Sequence, residues 1–99
     1  KTMKDGNEAI KMAQELSNFP GCLSINWNRV GYKQSWTSQC LRGRYFLIKS
    51  YQTIVGIVDV QDNEFFEIGK YSPTTSKQVT QIHNSMFRSC NRQFVNGRV

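Results

Sequence analysis

The N-terminal part of the chain carries an apolar stripe with helical spacing. Its members recur at intervals of three and four residues: Ala9, Met12, Ala13, Leu16 and Phe19. Asp5 followed three residues later by Glu8 has the form of a capping box, in which carboxylates accept hydrogen bonds from the free N–H groups of a first helical turn. Pro20 and Gly21 end the pattern. The spacing predicts a helix over residues 5–18.

A period of two residues replaces the helical period before residue 30. Leu23, Ile25 and Trp27 alternate with polar residues, which predicts a half-buried strand with Trp27 on its core face. The polar segment 31–43 follows, and it is interpreted as either an irregular edge strand or a long functional loop.

Three later runs are rich in β-branched and aromatic residues and predict strands over residues 44–51, 53–60 and 64–69. Residues 61–63 have the composition of a turn, so the last two runs predict a hairpin.

A second helix is predicted after Pro73, with Thr75 as its N-cap and Gln78 completing a capping box. Its predicted buried stripe is listed in chain order: Val79, Ile82, Met86 and Cys90. The helix is expected to end near Cys90, and residues 91–99 are expected to form a tail.

The order of these elements, one helix, about four strands and a second helix, predicts an α+β fold. Short links between the strands favour an antiparallel sheet flanked by the N-terminal and C-terminal helices. The 99 residues, of which 38% are hydrophobic, predict a single domain over residues 1–99. No apolar run is long enough to span a bilayer and the first residues do not resemble a secretory signal, so we expect a soluble cytoplasmic protein without a membrane partner.

Charge is unevenly distributed along the chain, whose net charge is +6. Between residues 16 and 58 there is no acidic residue, and the basic ones are Arg29, Lys33, Arg42, Arg44 and Lys49. The next acidic residues then crowd together: Asp59, Asp62, Glu64 and Glu67. This segregation predicts a basic surface and a small acidic edge, although the bases could equally serve solubility alone.

Two segments of the chain resemble a pattern in small uncharacterised proteins of tailed phages and prophages. The first is Ser50-Tyr51-Gln52-Thr53-Ile54-Val55, similar to an SYxTxVA strand. The second is Gly69-Lys70-Tyr71-Ser72-Pro73-Thr74-Thr75-Ser76-Lys77-Gln78, similar to a YSxTTSKH turn into a helix. The similarity covers residues 45–83, with Gly56 where alanine is usual and Gln78 where histidine is frequent. It implies a phage or prophage origin and hence the host cytoplasm. By analogy, small phage proteins act by binding.

The sequence contains few groups suited to catalysis. His83 is the only histidine, and on one continuous helix it would lie about 10 Å from Cys90, too far for a thiol–imidazole pair. The three cysteines, Cys22, Cys40 and Cys90, are widely spaced and are interpreted as reduced buried thiols. We therefore predict no catalytic residue, no metal, no cofactor and no enzymatic activity.

Two segments are candidates for binding. Residues 27–36 interleave aromatic and basic side chains, a mixture that single-strand binders use for stacking on bases and meeting phosphates, and that protein interfaces also use. The predicted binding residues are Arg29, Tyr32, Lys33, Trp36, Arg42 and Arg44. The start of the second helix is a candidate anion site, or a structural cap alone, and its residues are Lys70, Thr75, Ser76 and Lys77.

These observations predict a small phage-type accessory protein that binds nucleic acid or a nucleic-acid-handling host or defence protein. The alternative is a protein-directed inhibitor of host or anti-phage defence machinery, of the anti-CRISPR type. A homodimer is a further candidate, since small sheets with exposed edges often pair.

Overall fold

Strand pairing joins most of the chain into one sheet. The computed structural model describes residues 5–18, 27–69 and 72–99. The helices and strands in these ranges are α1 (Gly6–Asn18), β1 (Trp27–Arg29), β2 (Ser35–Cys40), β3 (Tyr45–Ser50), β4 (Thr53–Asp59), β5 (Glu64–Ile68), α2 (Pro73–Met86) and β6 (Asn91–Val95). Neither helix is long and apolar enough to cross a membrane.

The six strands lie in the sheet in the same order as in the chain. The first four pairings are antiparallel, and β6 pairs with β5 in parallel. The predicted α+β class is confirmed. The prediction of about four antiparallel strands is only roughly consistent with the sheet, which has six strands and one parallel pairing, because β1 to β5 form a meander and α2 returns the chain to lay β6 beside β5.

The first helix follows its predicted pattern. Ala9, Ala13 and Leu16 are buried, and the amide of Glu8 donates to Oδ1 of Asp5 over 3.0 Å, as the capping prediction requires. The predicted end of the stripe at Phe19 and the strand residues Leu23 and Ile25 lie outside the described residues.

Strand β3 is buried on both of its faces. Tyr45 and Leu47 belong to a core cluster under α1, whereas Ile48 belongs to a second cluster under α2, with Phe46 packed against it. Successive residues of a strand point to opposite faces, so this continuous apolar run requires a cover on each side. The two helices provide those covers, and the result is three layers with the sheet in the middle.

The segment 31–43 is neither the edge strand nor the long loop that its polarity suggested. Its second half is β2, an interior strand between β1 and β3. Ser35, Thr37 and Ser38 are buried there although they are polar. Small hydroxyl side chains take the place of apolar ones, so the alternation that marks a half-buried strand is missing.

Residues 91–95 are a strand, so the predicted tail over 91–99 is wrong. Their polarity hid the strand, because β5 supplies polar partners two positions away from the residues directly opposite in the parallel register. Nη2 of Arg92 lies 2.7 Å from Oε1 of Glu67, and the amide of Gln93 donates to the Glu64 carboxylate.

The second helix begins and ends earlier than predicted. Ser72 is its N-cap, with the Thr75 amide donating to Oγ of Ser72 over 3.4 Å, and Pro73 occupies the first turn, where its missing N–H costs nothing. The prediction of Thr75 as N-cap is therefore wrong. The helix ends at Met86, which is exposed.

Replacing Ser72 by alanine should lower the free energy of unfolding by about 1 kcal/mol, because the cap of α2 is lost. Chemical denaturation would measure this effect. Ser76→Ala, an exposed serine one turn into the same helix, is the matched control and should change stability by less than about 0.5 kcal/mol. A larger loss for Ser76→Ala than for Ser72→Ala would contradict the assigned cap.

A basic and aromatic candidate binding surface

The acidic run between residues 59 and 67 is bonded within the sheet and does not form a separate acidic edge. Asp59 is completely buried, and Nη2 of Arg44 lies 3.4 Å from its Oδ2 and 3.8 Å from Oδ2 of Asp62. Glu67 pairs with Arg92 and Glu64 accepts from Gln93. These contacts tie β4 and β5 to their neighbours, so Arg44 and Arg92 contribute little to a surface field.

The predicted binding residues do not form a single group. Arg42 and Arg44 lie in the turn after β2, whereas Arg29 pairs with Trp36 near the start of β2, at the other end of the sheet. Arg42 is exposed there, away from the rest of the predicted surface. The structure thus separates Arg42 and Arg44 from Arg29, Tyr32, Lys33 and Trp36.

On the α1 side of the sheet, a lysine lies between two indole rings. Arg29, Trp36 and Lys49 occupy one row across β1, β2 and β3. Nζ of Lys49 is 4.3 Å from the ring centre of Trp27 and 5.6 Å from that of Trp36. Both distances are within the range of cation–π attraction, and both indoles are only half-buried.

On the other side of the loop formed by residues 30–34, a tyrosine lies between two lysines. The ring centre of Tyr32 is 5.3 Å from Nζ of Lys33 and 5.2 Å from Nζ of Lys77, which comes from the first turns of α2. Lys33 and Lys77 are exposed, and the ring of Tyr32 is half-buried.

Arg29 connects these two clusters, because its Nε donates to the backbone oxygen of Lys33 over 3.3 Å. We call the resulting set the basic-aromatic strip, and its members are Trp27, Arg29, Tyr32, Lys33, Trp36, Lys49 and Lys77. Within the described ranges, none of its four cations forms a salt bridge. The strip is therefore where uncompensated positive charge and accessible aromatic rings coincide.

A buried amide fixes the loop that carries Tyr32. Gln78 is 1% exposed, and its Nε2 donates to the backbone oxygen of Tyr32 over 2.9 Å while its Oε1 accepts from the Ser50 hydroxyl over 2.5 Å. Ser35 supports the same loop, donating to the backbone oxygens of Val30 and Tyr32. The Gln78 side chain thereby links α2, β3 and the loop.

The predicted anion site is only partly assembled. Thr75 is buried, with its hydroxyl 3.4 Å from that of Ser50, so it faces the sheet. Ser76 and Lys77 are exposed, and Lys77 belongs to the basic-aromatic strip. Lys70 lies outside the described residues.

The contact between His83 and the segment after α2 is closer than the sequence suggested. Because the helix ends at Met86 and the chain turns back, Nε2 of His83 lies 2.9 Å from the backbone oxygen of Cys90. Burial raises the pKa of the Cys90 thiol, and the charges of Glu64 and Asp59 add to this effect. Cys40 and Cys90 are buried, as predicted, and Cys22 lies outside the described residues.

In the described part of the chain, no three side chains of histidine, cysteine, aspartate or glutamate are grouped as a metal site would require. Comparisons of this chain with protein-family models, with curated proteins and with solved structures found no match. The surface is therefore interpreted from its own geometry.

Sequence reasoning did not assign Lys49 or Trp27 to the binding surface, and it placed Lys77 in a separate site. Strand register brings Lys49 beside Trp36, and the packing of α2 on the loop brings Lys77 to Tyr32. The sequence shows the polar–apolar alternation that includes Trp27 and the apolar run that includes Lys49. No local pattern specifies which strands pair, and therefore which side chains lie next to each other.

Gln78→Leu should lower the free energy of unfolding by about 2 kcal/mol, because it removes two buried hydrogen bonds, one from the Ser50 hydroxyl and one to the backbone oxygen of Tyr32. Chemical denaturation would measure the loss. The control is Gln81→Leu, which replaces an exposed glutamine about one turn later in α2 and should leave stability nearly unchanged. Equal effects of the two changes would argue against the buried link.

Trp27→Ala should destabilise the protein by about 2 kcal/mol and Trp36→Ala by about half as much. Trp27 also packs against the core cluster under α1, and each ring is half-buried, so the losses fall below those of fully buried aromatics. Thermal and chemical melts of the two variants would show the order. A larger loss for Trp36→Ala would reverse the assignment of Trp27 to the core side.

Proposed function

We propose that this protein binds single-stranded nucleic acid through the basic-aromatic strip. One observation carries the proposal: Lys33, Lys49 and Lys77 each hold an ammonium group 4.3–5.6 Å from the centre of a partly exposed aromatic ring, and none is paired with an acid in the described residues.

Proteins that bind single strands without sequence preference combine these two kinds of group. Unpaired bases stack on aromatic rings without sequence preference, and neighbouring lysines and arginines meet the phosphates. In the strip the two kinds of group alternate along a connected path from Trp27 through Arg29 to Lys77. A duplex would use the cations but not the rings, because its bases are already stacked and paired.

The positions of the acidic residues of β4 and β5 favour the same surface, because Asp59 and Glu67 pair with arginines outside the basic-aromatic strip. Arg44 and Arg92 are engaged by the acids of β4 and β5, so the net charge of +6 is expressed mainly elsewhere. Such a field attracts polyanions at long range. Together with the resemblance to small phage proteins, this supports a non-enzymatic, phage-type accessory protein acting in the host cytoplasm.

We expect micromolar binding to single-stranded DNA or RNA at low salt, with a log–log salt slope near −3. The slope follows from about four phosphates neutralised by Arg29, Lys33, Lys49 and Lys77, at about 0.7 counterions released for each. Fluorescence anisotropy with a labelled oligonucleotide over a range of salt concentrations would measure it.

Lys33→Gln and Lys77→Gln should each weaken binding and make the slope shallower by about 0.7. Arg42→Gln and Lys11→Gln remove the same charge from exposed positions outside the strip and are the controls, with slopes unchanged. No binding at about 50 mM salt would overturn the proposal and favour a protein-directed inhibitor instead. Equal losses for all four variants would show binding to net charge alone.

A further inference from the structure

A groove runs between the loop that carries Tyr32 and the outer face of α2. Its volume is about 490 Å³, within the range of about 300–1,000 Å³ that small-molecule sites occupy. The residues that line it are Tyr32, Lys77, Thr80, Gln81, Asn84 and Ser85. One end therefore contains the ring and the cation of the basic-aromatic strip, and the rest is walled by amides and hydroxyls.

The wall of the groove depends on a glycine. Gly31 has φ +62°, and a Cβ atom at this position would lie 2.5 Å from Oε1 of Gln81. Glycine therefore allows the loop to approach the helix directly at the Gln81 side chain. The Gln78 bond to the backbone of Tyr32, one turn earlier in α2, positions the ring at the groove in advance of any ligand.

The lining is chemically matched to one kind of ligand. Within the described part of the chain, the side chains of Gln81 and Asn84 make no hydrogen bond, whereas the Ser85 hydroxyl is already used by the backbone oxygen of Gln81. A carboxamide offers a donor next to an acceptor, which complements the N6 and N7 groups of adenine. Tyr32 offers a ring for stacking, and Lys77 a cation for the adjoining phosphate.

We propose that this groove accepts one unpaired nucleobase of a bound single strand, adenine being the base its amides complement. The ring of Tyr32 stacks on the base, the amides of Gln81 and Asn84 bind its edge, and Lys77 binds the neighbouring phosphate. The inference rests on the proposed function, because it assigns a base-binding subsite to the same nucleic-acid surface.

The test compares two labelled DNA strands of about twelve nucleotides, oligo(dA) and an abasic strand of equal length and charge, by anisotropy at one low salt concentration. The intact protein should bind oligo(dA) at least about tenfold more tightly than the abasic strand, the effect of a stacked base. Tyr32→Leu should bring the ratio of oligo(dA) affinity to abasic affinity close to one, while Tyr32→Phe should retain the preference.

A second variant keeps the test independent of the loop's stability. Gln81→Leu combined with Asn84→Leu changes two exposed helix positions, and it should weaken oligo(dA) binding severalfold without changing abasic binding. Equal affinity of the intact protein for both strands would overturn the subsite while leaving the proposed function in place. Absence of binding to either strand would overturn the proposed function itself.

The two tryptophans of the strip provide the remaining comparison, since they could stack bases on the other side of the loop. If Trp36→Leu abolishes the preference for oligo(dA) and Tyr32→Leu does not, base stacking occurs at the tryptophans and the groove assignment is wrong. If Tyr32→Leu alone abolishes it, the groove is the base-binding subsite.

Discussion

Burial of β3 from both sides is the constraint on which the other elements depend. Tyr45 and Leu47 on one face of this strand and Ile48 on the other have almost no exposure, so both faces need a cover from water. One helix must therefore cover each face, and α2 has to cross the sheet to do so. That crossing brings the start of α2 to the loop before β2, where Tyr32 and Lys77 meet. The binding surface is thus a consequence of how the core is closed.

The ionic groups divide between structure and surface in a way that composition cannot show. The acids of β4 and β5 bind side chains of β6 and of the turn that precedes β3. Buried acids need such partners, because an unpaired charge in the core is costly. The lysines of the strip have aromatic neighbours in place of acids. Attraction to a ring is weaker than an ion pair and leaves the positive charge available to a ligand.

The parts of the fold that sequence could predict are those with a clean local period. The stripe of α1, the apolar runs of β3 and β4 and the turn at residues 61–63 appear at nearly their expected positions. Strand β6 was not predicted because its polar residues have partners distant in the chain, such as Glu67 for Arg92. Strand β2 was not assigned to the sheet interior because its buried residues include small hydroxyl side chains in place of apolar ones. The residues of the basic-aromatic strip divide in the same way, into those visible from local composition and those placed by distant contacts. Tyr32, Lys33 and Trp36 could be identified from local composition, whereas Lys49 and Gln78 acquire their roles only through register and helix packing.

The parallel pairing of β5 with β6 also sets the order in which the strands can pair while the chain is being synthesised. Each hairpin of the β1 to β5 meander joins segments adjacent in the chain, so these pairings become available as soon as the residues leave the ribosome. Strand β6 cannot dock until the whole of α2 has emerged and crossed the sheet. Until then one edge of the nascent sheet is open and Glu64 and Glu67 lack their partners. A chain that has not yet added β6 therefore exposes an acidic edge that the finished domain no longer presents.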